Sequence, residues 1–109
     1  MSSQHKDLAG GRWSRMPLVE QMANIGSEVE RALIWKTKNS EYSKKAFERA
    51  LELVDLSLES QKKSTIIREL ARVREAMVDY FYGTNDSLST QDSWRKYFLP
   101  FVYASRKSF

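Results

Sequence analysis

The stretch RELARVREAMVDYFYG, Arg68 to Gly83, decides the fold. Leu70, Val73, Met77 and Tyr80 recur at spacings of three and four, which puts them on one face of an α-helix, and Ile66 extends the row upstream. Gly83 is a natural stop. The charges, however, run against the helix macrodipole, which favours acids at the N-terminus and bases at the C-terminus. Arg68, Arg72 and Arg74 crowd the first half, Glu75 and Asp79 the second. Something outside this helix must compensate them, either an acidic neighbouring helix or a polyanion or protein partner.

Outward from this helix, the chain repeats the same seam. Leu18, Met22, Ile25, Val29 and Ala32 mark a first helix over about 17–37, with Pro17 in the first turn, where a missing N–H costs little. Gly26 and Ser27 interrupt it, and a close helix contact accounts for them better than a kink at a binding groove. Asn39 and Ser40 offer N-caps to a second helix ending near Ser60. Its stripe is Phe47, Ala50, Leu51, Val54 and Leu58, widened by Leu53 and Leu56 as for a helix covered on two sides. After the turn SQKKS comes the Arg68–Gly83 helix, then the loop TNDSLS. Ser89 and Asp92 resemble a capping box opening a fourth helix, whose core side would be Trp94, Phe98, Phe101 and Ala104, with Pro100 forcing a kink or an early end. Four amphipathic segments joined by short polar turns predict an all-α, antiparallel up-down four-helix bundle. Residues 13–109 form that single domain, and residues 1–12 are read as a disordered tail.

The composition narrows the chemistry. With no cysteine and His5 as the sole histidine, a triad, a zinc site or thiol chemistry lacks its residues. GSEVERAL begins with Gly-Ser but lies inside a helix and lacks a P-loop lysine. HEPN-type ribonucleases, small helical domains using an arginine and a histidine a few residues apart, are disfavoured because no such pair exists. A non-enzymatic protein without metal or cofactor is expected. No apolar run of membrane length and no signal-peptide core occur, so a cytoplasmic protein without a membrane partner is expected. The formal charge of +4 is compatible with nucleic-acid contact.

On the second helix, Glu48, Glu52, Asp55 and Glu59 make one acidic stripe. Folding back at Gln61–Ser64 sets Glu52 and Asp55 beside Arg68 and Arg72, an architectural answer to the misplaced arginines. Arg74 lies off that row and reaches either an acid of another helix or subunit, or a phosphate. The remaining bases gather near helix ends: Arg12 and Arg15 beside Trp13, Lys36 and Lys38 after Trp35, Lys44, Lys45, Lys62, Lys63, Arg95 and Lys96 beside Trp94, and Arg106 and Lys107. With Arg74 they are the candidate nucleic-acid-binding residues. Cations among aromatics hold a backbone and stack bases. Trp35 and Trp94, at helical positions, suit a core or interface, which leaves Trp13, on a mobile lead-in segment, as the free stacking side chain.

The phrases NIGSEVERALIWK, RALELVDLSLES, RELARVREAMVDYFYG and YFLPFVYASRK together resemble Avd-like accessory proteins of diversity-generating retroelements, over about residues 13–107. The resemblance implies a four-helix protomer that assembles into a ring, commonly a pentamer, and binds a reverse transcriptase with RNA or DNA as a non-enzymatic cofactor. It carries over no functional residue. An alternative from another class is a protein-interaction bundle, antitoxin-like or a nucleotidyltransferase partner, with Tyr80, Tyr82, Trp94 and Tyr103 as its contact surface. Self-association is expected in addition, because Leu53, Leu56, Tyr97, Val102 and Tyr103 exceed one seam per helix.

Overall fold

A computed structural model describes residues 11–107, except for the side chain of Lys107. His5 and the expected tail up to residue 10 lie outside the described residues. Four helices follow in order: α1 (Leu18–Trp35), α2 (Ser40–Ser60), α3 (Ser64–Tyr82) and α4 (Gln91–Lys107). No strand occurs among the described residues.

Antiparallel packing follows from which residues meet. Ser43 on α2 donates to the Ala32 carbonyl at 2.6 Å, and Arg49 reaches Glu28 at 2.9 Å, so α2 runs back along α1. Phe47 stacks on Phe81 while Asp55 meets Arg74, so α3 runs back along α2. Arg95 meets Glu30, and Phe98 lies against Gly26, which sets α4 antiparallel to α1. Between α3 and α4 the links are long side chains, Tyr97 to Glu69 and Tyr80 to Trp94. The four helices thus close an up-down bundle. Its buried centre includes Ile25, Val29, Ala32, Phe47, Val54, Leu70, Met77, Trp94 and Phe98.

Local chemistry explains the boundaries. Asn39 caps α2 by accepting from the Tyr42 N–H at 3.1 Å. The Gly83 N–H donates to the Asp79 carbonyl and closes α3. The expected capping box at Ser89 and Asp92 is corrected by one residue: Thr90 Oγ1 accepts from the Ser93 N–H at 3.0 Å, and Ser93 Oγ accepts from the Thr90 N–H at 2.8 Å. A serine thereby supplies the return bond that Glu or Gln usually gives. Pro100 does not end α4, which runs on to Lys107. Ala104 is exposed, not core.

The Gly26 expectation of a close contact is met. A Cβ built there would stand 2.8 Å from Phe98 Cβ, closer than packing permits, so only glycine lets α4 approach α1 at this level.

Candidate nucleic-acid interface

Most arginines along the middle of the bundle are held by carboxylates. Glu28 serves both Arg31 and Arg49, at 2.7 and 2.9 Å. Arg74 bonds to both carboxylate oxygens of Asp55, at 2.7 and 3.4 Å. That bond raises the guanidinium pKa. Asp55 thus belongs to Arg74, and the expected pairing with Arg68 and Arg72 is overturned. Arg72 instead grips Glu69 one turn earlier on its own helix, while Arg68 forms no ion pair with a described residue. The reason is rotation: two residues turn a side chain by about 200° around a helix, which carries Arg72 away from α2. Of the two readings open for Arg74, the acid of another helix is the one realised.

Glu69 is the hub of the α3–α4 contact. It accepts two bonds from Arg72 and one, at 2.7 Å, from the Tyr97 hydroxyl. The Arg72 bonds first and the Tyr97 bond second push its carboxyl down to about 2. Burial and the Glu69 carboxylate push the Tyr97 phenol up.

Trp13 is the plainest correction. It is not a free stacking side chain but is 2% exposed, with its indole Nε1–H donating to Ser57 Oγ at 3.0 Å. The fully buried Gln21 amide donates to the Trp13 and Met16 carbonyls at 2.9 and 3.2 Å. The lead-in segment is therefore pinned to α1 and α2, and exposed Arg12 and Arg15 stand on either side of the pin.

The antiparallel topology sorts the candidate cations into two groups. At the end where α1 and α3 begin lie Arg12, Arg15, Lys62, Lys63 and Arg106, all exposed and without an ion pair to a described residue, with Lys107 closing α4 there. Arg68 adds to this group. At the other end, Lys36, Lys38, Lys44 and Lys45 surround the α1–α2 turn. Lys36 lies over the Tyr80 ring at 4.3 Å, and Lys38 over Trp35 at 5.9 Å. Arg74, Arg95 and Lys96 are committed to Asp55, Glu30 and Asp92.

Aromatic side chains are distributed differently from the expectation. Trp94 is core, as expected, but Trp35 is 37% exposed and forms a tilted pair with Tyr42, which is 46% exposed, at 5.0 Å between ring centroids. Tyr82, 53% exposed, stands edge-on to Phe47 at the same end. Sequence reasoning missed this cluster. The available signal was the position of Tyr42 in the first turn of α2, before the apolar stripe opens at Phe47.

Comparisons with protein-family models, with curated proteins and with solved structures return no match.

Proposed function

We propose that the chain is a non-enzymatic, cytoplasmic nucleic-acid-binding accessory protein, a partner of a reverse transcriptase in a diversity-generating retroelement. The observation that carries the nucleic-acid reading is the separation just described. Ion pairs absorb Arg31, Arg49, Arg72, Arg74 and Arg95 along the helices, whereas Arg12, Arg15, Lys44, Lys45, Lys62, Lys63 and Arg106 remain exposed and unpaired with described residues at the two ends. Solvated cations left over in this way attract a phosphate backbone and read no sequence. The reverse-transcriptase partner rests on the resemblance alone.

Self-association with a second copy belongs to the same proposal, through the groove of about 550 Å³ between α1 and α4. Leu99 and Val102 border it, and its rim holds the pairs Glu30–Arg95 and Asp92–Lys96. An apolar surface with a charge-neutral rim lets two copies of a basic chain meet without the repulsion that their ends would cause. Of the apolar excess expected from the sequence, Val102 lies on this face, Leu53 is buried, Tyr97 is bonded to Glu69, and Tyr103 is exposed outside the groove. The alternative contact surface loses its coherence: Trp94 is buried, and Tyr82 and Tyr103 lie toward opposite ends.

The test is fluorescence anisotropy with labelled RNA and DNA over a salt series. Each neutralised phosphate contributes a logarithmic slope of roughly −0.7 to −0.9, and joint replacement of Arg12, Arg15, Lys44 and Lys45 by Gln flattens it while the helical signal is kept. Failure to bind at low salt, alone or with a reverse transcriptase encoded beside it, removes the reading. A monomeric mass by light scattering at micromolar concentration removes self-association.

A further inference from the structure

We infer that the end of the bundle carrying the α1–α2 turn is a platform for single-stranded nucleic acid, on which unpaired bases stack against Trp35, Tyr42 and Tyr82 between lysines. The inference rests on the nucleic-acid reading above and adds to it the strand state of the ligand and the residues that touch its bases.

Three observations converge on this end. Among the described residues, the exposed aromatics are Trp35, Tyr42, Tyr82 and Tyr103, and the first three share it. Such side chains expose apolar rings to water at a cost of roughly 25 cal/mol per Å², which stacking a base would recover. Second, Lys38 lies over Trp35 at 5.9 Å, Lys36 and Lys44 line a cleft with Tyr82, and Lys45 is exposed on the same turn of α2, while the acids of this hairpin end, Glu41 and Glu48, form no ion pair with these lysines. Asp79, in the last turn of α3, is turned to the α3–α4 connection, accepting from the Ser87 N–H at 2.9 Å, and Asp86 within that connection accepts from the Thr84 hydroxyl at 2.8 Å.

Third, a cleft of about 310 Å³ opens between the α1–α2 turn and the end of α3. Phe47, Phe81 and Tyr82 line it, and Lys36 and Lys44 stand at it. Phe47 and Phe81 already stack with centroids 4.4 Å apart, and Tyr82 meets Phe47 edge-on at 4.9 Å. Small-molecule sites begin at about 300 Å³, so the cleft suits one planar base rather than a length of chain. Phe81 and Tyr82 offer its accessible apolar wall to a base face, with the fully buried Phe47 behind them, and the two ammonium groups neutralise the flanking phosphates. Aromatic rings interleaved with cations bind single strands, because every base has a π-face and a duplex hides it. The opposite end, with Trp13 buried, offers cations to phosphates of either strand state.

Trp35 supplies its own readout, since Trp13 and Trp94 are buried. The full chain is titrated with a labelled 20-nucleotide single strand and with the matching duplex, following Trp35 emission and anisotropy. The expected result is tighter binding of the single strand, with quenching of the exposed tryptophan. Joint replacement Trp35→Ala and Tyr82→Ala, both at exposed positions, should weaken single-strand binding by about 5- to 150-fold per base released and leave duplex binding unchanged. Equal affinity for duplex and single strand with the double variant inert overturns the platform while the nucleic-acid reading stands. Displacement of the strand by poly-L-glutamate at equal charge concentration overturns it too, by showing that charge alone is recognised. Absence of binding to either oligonucleotide at low salt overturns both.

Discussion

Replacing Trp13 with Ala separates two descriptions of the N-terminal segment by several kcal/mol. If residues 11–16 were a mobile lead, the change would be nearly silent. In the structure the indole is 2% exposed and belongs to the central core, with its N–H on the fully buried Ser57 hydroxyl. Truncating a buried Trp costs about 3–5 kcal/mol, within which the orphaned Ser57 hydroxyl accounts for roughly 1–3 kcal/mol. Against a total stability of about 5–15 kcal/mol, this is a large fraction. With a urea m-value near 1.5 kcal/mol/M, the midpoint measured by circular dichroism should fall by about 2–3 M. A companion cycle isolates the hydrogen bond. Trp13→Phe keeps most of the apolar burial and should cost about 1–2 kcal/mol; adding Ser57→Ala, which removes the abandoned partner, should recover part of that loss. A midpoint shift for Trp13→Ala below about 0.3 M, equivalent to less than ~0.5 kcal/mol, would refute the pinned segment and the fixed placement of Arg12 and Arg15.

Further outcomes follow from the same packing. Gly26→Ala gains about 1 kcal/mol of helix propensity but drives a Cβ to 2.8 Å from Phe98 Cβ, an overpacking cost of about 1–3 kcal/mol. The melting temperature should therefore fall, and a rise would show that α1 and α4 are farther apart. Asp55 and Arg74 are both nearly half exposed, so a double-mutant cycle should give a coupling of only about 0–1 kcal/mol. The same cycle between Asp55 and Arg72 should give none, and a larger coupling there would restore the pairing rejected above. Glu69, held down to about 2 by Arg72 and Tyr97, contributes stability that is complete above its ordinary carboxylate pKa and lost as pH falls from about 4.5 toward 2. Its side chain is 45% exposed, so screening keeps this contribution below about 1 kcal/mol. Tyr97→Phe removes one of the bonds lowering that pKa, and acid titration of the variant should show a shallower stability loss in this window; an unchanged acid limb would mean that Arg72 alone sets it.

Periodicity made the bundle legible. A row at spacings of three and four, such as Leu18–Ala32 or Ile66–Tyr80, must face one way whatever surrounds it, because 3.6 residues make a turn and apolar rows leave water together. The Asn39 cap and the Gly83 stop were equally local, each being settled by bonds within a turn of chain. Charge pairing was not local. Whether Arg72 or Arg74 met Asp55 depended on how α3 was rotated against α2, and a helix turns about 100° per residue, so an error of two positions exchanged the partners. The fate of single aromatics was decided in the same way. Trp13 lies outside any periodic row, and only the gap beside Ser57 and Gln21 gave it a buried place. Trp35 and Tyr42 stayed half in water because they stand at the end of the α1–α2 hairpin, where neighbouring helices no longer cover them. Local spacing determined which face of each helix was apolar; the rotation and length of its neighbours decided which charges and rings remained for a partner.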